Sequence, residues 1–187
     1  EDVFTHEIMK GDIIGYNLVS KYLIKTNITP IVKYITWFGS ATCLIIISLL
    51  TFILKNKKIS IYILSNLVII TILNQLFKFI FERPRPTEYR IITETGYSFP
   101  SGHSMVSMAF YGYIIYLIYK NVNNKYIKWL VISILSLLII SIGISRIYLG
   151  VHYTSDVLAG FLISISYLII YIKYTKKIID KDSNYEK

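Results

Sequence analysis

The chain has 187 residues, 54% of them hydrophobic, with a formal net charge of +9 and a mean hydropathy of +0.54. The length fits one domain, and long charge-free apolar runs give it the composition of an integral membrane protein. The positive charge does not point to nucleic acid, because the lysines lie in short loops and the tail and form no basic stripe between aromatics; the single cysteine, Cys43, excludes an internal disulfide.

Residues 1–12 are polar and mixed in charge. Over 13–25, Asn17, Lys21 and Lys25 recur every four residues, while Ile14, Leu18, Val19 and Leu23 occupy the rest of the wheel. This reads as an amphipathic helix that either lies on a membrane surface or covers the end of a bundle. Thr29-Pro30 opens a new element, with proline accepted in a first helical turn. A first span is expected over 34–54, since about 20 residues at about 1.5 Å each cross a hydrocarbon core of about 30 Å. A second is expected over 59–81. It carries Asn66, Asn74 and Gln75, which should face protein and not lipid. Asn74 lies one turn before Lys78 and either orients that lysine or makes an interhelical hydrogen bond.

Residues 82–99 form a polar loop with two Arg-Pro pairs, which disfavour helix. The third span, over 101–119, is the least apolar, with His103, Ser104, Ser107 and Gly112, as suits a helix that lines a site. A short basic turn precedes a fourth span over 129–144, and a fifth follows over 154–174 before a charged tail. The expected fold is therefore an all-α membrane bundle of five spans plus the amphipathic helix. It forms one domain over 1–187: an outer segment (1–33), the bundle (34–174) and a cytoplasmic tail (175–187).

Lys55, Lys57 and Lys58 share one side with Lys120, Lys125, Lys128 and the basic tail, so that side is expected to be cytoplasmic. Five spans with an inner C-terminus put the N-terminus outside, and a sixth span upstream is expected in the full protein. The loop 82–100 and the turn 145–153 then meet at the extracytoplasmic rim.

Charge at the edge of apolar runs usually signals function. Arg146, His152 and Asp156 fall within eleven residues between two such runs. If the chain is helical from about Val151, His152 and Asp156 stack at i and i+4, and the carboxylate can fix the imidazole tautomer. A helix-end ion pair that pins the bundle accounts for the same residues. Lys78 and Arg85 add two cations to Arg146, and Ser101 and Gly102, at a helix N-terminus after Pro100, offer backbone N–H groups and a dipole to an anion. A phosphate uses all of these groups. His152 would attack phosphorus to give a phosphohistidine, and His103 would protonate the leaving group and then activate water.

Lys78-x6-Arg85-Pro86, Pro100-Ser101-Gly102-His103 and Ser145-Arg146-x5-His152-x3-Asp156 resemble, complete and in order, the three-part signature of type 2 phosphatidic acid phosphatases, the PAP2 superfamily. The resemblance implies a six-helix membrane phosphatase that needs no metal or other cofactor. It implies His152 as nucleophile, Asp156 as its partner and His103 as acid/base, with Lys78, Arg85, Arg146, Ser101 and Gly102 holding phosphate. Its bacterial members suggest undecaprenyl diphosphate, phosphatidylglycerol phosphate or phosphatidic acid as substrate, handled in the cell membrane. Arg83 reads as a solvated charge or a rim contact to a headgroup, and His6, Glu7 and Asp12 as solvated surface residues. Two alternatives keep the same residues. In one, the two histidines and the aspartate hold zinc, which three neighbouring cations oppose. In the other, the chain binds or transports a lipid phosphate without turnover, which leaves the His–Asp pair without a use. The superfamily's soluble vanadate-dependent haloperoxidases do not fit a chain with five spans.

Overall fold

The computed structural model describes residues 8–54 and 57–185, with side chains described up to 176 apart from residue 54. His6, Glu7 and Lys55 lie outside the described residues. Among those described there are seven helices and no strand: α1 (Lys10–Leu23), α2 (Thr29–Trp37), α3 (Ala41–Leu54), α4 (Lys57–Phe81), α5 (Gly102–Asn121), α6 (Lys125–Tyr148) and α7 (Thr154–Tyr185). The all-helical expectation holds.

α5 is the axis, packed against α4, α6 and α7. Small side chains allow this: a Cβ on Gly112 would meet Leu168 at 2.6 Å, and one on Gly160 of α7 would meet the Ser101 carbonyl at 3.1 Å. The main core joins Leu44, Ile63, Leu67, Phe110, Tyr113, Ile142, Leu168 and Tyr171, drawn from α3 to α7. Large apolar side chains such as Ile72 and Phe79 on α4, Leu137 on α6 and Leu162 and Ile169 on α7 point outward. α4, α6 and Thr154–Lys176 of α7 are long and apolar enough to cross a membrane. α5 does not reach that apolarity, and its neighbours explain why. A helix enclosed by others has no lipid face to satisfy, so it can carry Ser104 and Ser107 fully buried.

The expected first span is not one helix. α2 and α3 meet at 47° across residues 38–40 and make a fourth candidate span only if taken together. A Gly39-Ser40 pair is a usual cause of such a kink. Here the freed backbone groups find partners: Tyr111 Oη donates to the Phe38 carbonyl at 2.8 Å, and Ser40 Oγ accepts the Cys43 N–H at 3.3 Å. Gly39 sits where a Cβ would meet Ile142 at 2.7 Å and His103 at 3.2 Å, so the bend lies directly against α5 and α6. The other spans lie close to where they were expected. α6 runs a turn further at its end and carries Arg146, and the α7 backbone stays helical to Tyr185, into the stretch read as a tail.

α1 packs on α6 and α7. Gly15 abuts Thr154, Asp12 is buried, and Val19 packs on the Tyr148, Leu149 and Val151 cluster. Ile13, Ile14, Leu18 and Tyr22 face outward. The reading of Asp12 as solvated is thus corrected.

The loop 82–101 is held at the rim by Ile91 N–H to the Leu149 carbonyl at 3.0 Å. Beside that bond Gly150 has φ +68°, and a Cβ there would sit 2.4 Å from the Tyr89 carbonyl oxygen. Gly150→Ala should therefore cost about 1–3 kcal/mol in left-handed strain alone, and more for the clash. A thermal unfolding midpoint in detergent equal to that of the unaltered protein would contradict this close approach.

Candidate active site

Five segments deliver the site. Lys78 ends α4. Pro84 and Pro86 keep the following chain extended, so α4 stops and the loop folds back on itself. Arg85 Nε and Nη2 then donate to the carbonyls of Gly96 and Thr95 at 3.0 and 3.1 Å. α5 opens with Gly102 and His103, the last turn of α6 carries Arg146, and the 149–153 turn carries His152 just before α7. Lys78, Arg85, Gly102, His103, Arg146 and His152 all line one cavity of about 700 Å³, together with Asn74 and Glu94.

His152 is not helical. α7 begins at Thr154, and Asp156 in its first turn reaches back: its Oδ2 accepts the Tyr153 N–H at 2.9 Å and lies 3.4 Å from His152 Nδ1. The contact expected from helical stacking is thus made by a helix N-terminal turn. Ser98 Oγ donates to the same carboxylate oxygen and lies 3.3 Å from Nδ1. Arg85 Nη1 is 3.0 Å from Nε2. An arginine can only donate, so this network assigns the proton to Nδ1 and the lone pair to Nε2, where it accepts from Arg85. Burial pushes the imidazole down from 6.5 to about 4, helped by the Arg146 and Arg85 charges and only partly opposed by Asp156.

Arg146 is buried. Its Nη1 donates to Thr36 Oγ1 at 2.8 Å and its Nη2 to Glu94 Oε1 at 2.6 Å. The α2–α3 bend is what leaves Thr36 at this point. Burial pushes the Glu94 carboxyl up, but the Arg146 hydrogen bond and the Arg146 and Arg85 charges outweigh it and hold the group below its usual range. Burial likewise pushes the Arg85 guanidinium down, with Glu94 acting against it. Lys78 Nζ donates to the Tyr97 carbonyl. Asn74 Nδ2 donates to the Pro100 carbonyl just before α5 at 3.2 Å and to Met105 Sδ on α5 at 3.4 Å, so of its two readings the interhelical bond is the one made.

Ser101 stands differently from its expectation. Its N–H donates to the Asp156 carbonyl at 3.1 Å, its Oγ accepts from Ser104, and it is buried behind the cavity wall. Arg83 is the larger correction. It is neither solvated nor at the rim, but fully buried, with Nη1 2.7 Å from Asp156 Oδ1 and Nη2 2.9 Å from Asp12 Oδ2. Sequence reasoning also missed Thr36, Glu94 and Ser98. None carries a signal of its own, since a lone hydroxyl or a loop carboxylate is ordinary until its neighbour is known. Among the described residues no three His, Cys, Asp or Glu side chains converge as metal ligands.

A family model described as the PAP2 superfamily matches residues 59–180. The chain belongs to the PAP2 superfamily. It is 34% identical to phosphatidylglycerophosphatase B of Bacillus subtilis over 57% of this chain and 53% of that protein. It is 28% identical to the undecaprenyl-diphosphatase of Sulfolobus acidocaldarius over 87% of this chain and 81% of that one. The match to the first of these spans only about half of the relative's length. Among solved structures, the transmembrane PAP2-type phosphatidylglycerolphosphate phosphatase of Bacillus subtilis superposes with a TM-score of 0.79 at 27% identity, covering 89% of this chain and 85% of that one. LpxE of Aquifex aeolicus shares the fold, with a TM-score of 0.73 at 23% identity and coverage of 89% of this chain and 100% of that one. With its apolar helices and these relatives, this PAP2 chain is a multi-pass membrane protein.

A neutral buried His152 has a signed consequence. The unfolded chain takes up this proton near 6.5 and the folded one near 4. Folding stability from His152 is therefore present above 6.5 and is lost as pH falls from 6.5 towards 4. In a ¹⁵N-histidine titration one imidazole should stay neutral, with its proton on Nδ1, down to about pH 4; a midpoint near 6.5 would contradict the assignment.

Proposed function

We propose that this PAP2 chain is a metal-independent lipid phosphatase that works through a phosphohistidine. The observation that supports this best is His152 in the wall of a cavity it shares with Lys78, Arg85 and Arg146, its Nε2 lone pair accepting from Arg85 Nη1 at 3.0 Å; a phosphate that takes up that Nη1 donor would leave the lone pair free to attack. Three cations attract a polyanion, and the orientation of the imidazole is set from behind by Asp156. The phosphoryl oxygens would lie among Lys78, Arg85, Arg146 and the start of α5 at Gly102. There the helix dipole and the N–H groups favour negative charge, and Ser101 anchors that helix start to Asp156.

Nε2 forms the N–P bond as the P–O bond to the lipid oxygen breaks, and His103 gives that oxygen its proton. Water then loses a proton to His103 and attacks phosphorus, the P–N bond breaks, and phosphate leaves with His152 neutral again. Each developing charge meets cations that loop carbonyls and Glu94 already hold in place.

The substrate is a lipid phosphate or diphosphate. Undecaprenyl diphosphate and phosphatidylglycerol phosphate are favoured by the names of the relatives, and phosphatidic acid completes the class. The site faces the extracytoplasmic side in a five-span arrangement in which bent α2–α3 counts as one span and α5 as another. α1 lies at the interface with its exposed Ile13, Ile14 and Leu18 towards lipid. The basic segments at Lys57–Lys58 and Lys120–Lys128 support this orientation.

The direct test is phosphate release in detergent micelles with EDTA present, for those three lipids and a soluble phosphomonoester. One lipid should be turned over, and His152→Ala should lower its turnover by about 1,000-fold or more while the fold stays intact. Vanadate, a mimic of pentacoordinate phosphorus, should inhibit. Binding without turnover would move the chain to a lipid-phosphate binder or transporter; inhibition by EDTA with indifference to vanadate would favour a metal. For the orientation, an impermeant label applied outside the cell should reach cysteines placed in 87–98 and spare one at Lys57. The reverse pattern would place the site on the cytoplasmic side.

A further inference from the structure

We propose that Arg83 and Asp12 are positioning residues, a buried relay that fixes the Asp156 carboxylate and through it the His152 ring. This rests on the reading of His152 as nucleophile. The plainer account is that the pair only pins α1 to the bundle, and the placement of the bonds argues for more.

Arg83 does not touch the oxygen that faces His152. Its Nη1 takes Oδ1 of Asp156 at 2.7 Å, while Oδ2 receives His152 Nδ1, Ser98 Oγ and the Tyr153 N–H. Holding one oxygen sets the rotation of the carboxylate and so the direction in which the other points. The guanidinium is itself fixed. Nη1 also donates to Ser155 Oγ at 2.7 Å, Nη2 donates to Asp12 Oδ2 at 2.9 Å, and the planar group lies over the Tyr153 ring at 4.2 Å. Asp12 closes the circuit from α1, with its Oδ1 accepting the Ser155 N–H at 2.8 Å, next to Asp156 in the first turn of α7. A pin for α1 would need only one of these contacts. This one grips Tyr153, which follows His152, together with Ser155 and the partner Asp156 itself.

The charges point the same way. A bare Asp156 carboxylate favours a protonated imidazole, and a guanidinium on its far oxygen draws that charge off. The other groups facing His152 are Arg146 from α6, His103 from α5, and Arg85 and Glu94 from the loop. All remain in place when Arg83 or Asp12 is replaced.

The test uses the full chain in detergent, with Arg83→Gln, Arg83→Lys, Asp12→Asn and the double variant Asp12→Asn/Arg83→Gln. Steady-state turnover is measured on the lipid phosphate that the unaltered protein hydrolyses, and ¹⁵N-histidine spectra are recorded against pH. Arg83→Gln should lower kcat by about 100-fold with KM within about threefold, because the phosphate-holding cations are untouched. Arg83→Lys should recover part of the loss. Asp12→Asn should lower kcat by about tenfold and add nothing once Arg83 is gone, as expected of residues acting through one contact. In Arg83→Gln, which removes the cation on Asp156, the His152 midpoint should rise from about 4 towards 6.5. In Asp12→Asn, which removes an anion and leaves the Arg83 cation in place, it should not rise. Unchanged kcat in both, losses that multiply independently in the double variant, or an unmoved His152 titration in Arg83→Gln would overturn the proposal. If Arg83→Gln does not fold, Asp12→Asn, which keeps the side-chain shape, decides by its kcat against KM. If the unaltered protein hydrolyses no lipid phosphate, the functional reading falls, and the Arg83→Gln spectrum still decides: a raised His152 midpoint upholds the relay and an unmoved one refutes it.

Discussion

The structure depends on how one carboxylate is kept charged away from water. Asp156 is fully buried, and an unpaired charge there would cost several kcal/mol. It is tolerated because donors from three segments fill both oxygens: Arg83 and Ser98 from the two arms of the loop, and His152 and the Tyr153 N–H from the α6–α7 turn. Its own carbonyl accepts the Ser101 N–H and so ties in the start of α5. Removing any one donor leaves the charge under-solvated, so the loop, the turn and the two helix starts are set against one another by a single group. That makes the rim rigid where chemistry needs fixed geometry.

The cations show a second constraint. Three positive side chains around one cavity repel one another, and each is held by a different device. Arg146 is forked between Thr36 and Glu94, Arg85 rests on loop carbonyls and His152 Nε2, and Lys78 reaches the Tyr97 carbonyl. Neutral carbonyls and a single carboxylate hold these groups in place without cancelling their charge, so the cavity remains attractive to an anion. Glu94 occupies one arm of the Arg146 fork. On the proposed phosphatase reading, an incoming phosphate would compete with it for the guanidinium.

The membrane imposes a third. Backbone polar groups inside a bilayer must be paired within the protein. Where the chain bends between α2 and α3, a tyrosine from α5 and a serine at the start of α3 supply the pairing. The bend in turn leaves Thr36 beside Arg146, so a break in helical regularity becomes part of the site. Enclosure of α5 by its neighbours allows a helix of modest hydropathy to sit at the centre, with its polar N-terminal end opening into the cavity.

Much of this could be read from the residues in order. Apolar runs of about the length of a bilayer crossing, bounded by lysines and prolines, located α4, α5 and α6 to within about a turn, but not the break in the first span or the extension of α7. The spacing of Lys78, Arg85, His103, Arg146, His152 and Asp156 pointed to one rim, since each lies at the end of such a run. What stayed hidden was what each group would meet. Gly39-Ser40 is an ordinary pair inside an apolar run until α5 and α6 press on it, and that contact decides that the first span is bent. Arg83 and Asp12 lie 71 positions apart and read as solvated charges, because charge in a loop is usually exposed. Only packing α1 onto the start of α7 buries both and gives each the other as partner. Chemical identity and periodicity act locally and are written in the sequence, whereas the desolvation that turns a surface charge into a structural one exists only once distant segments close around it.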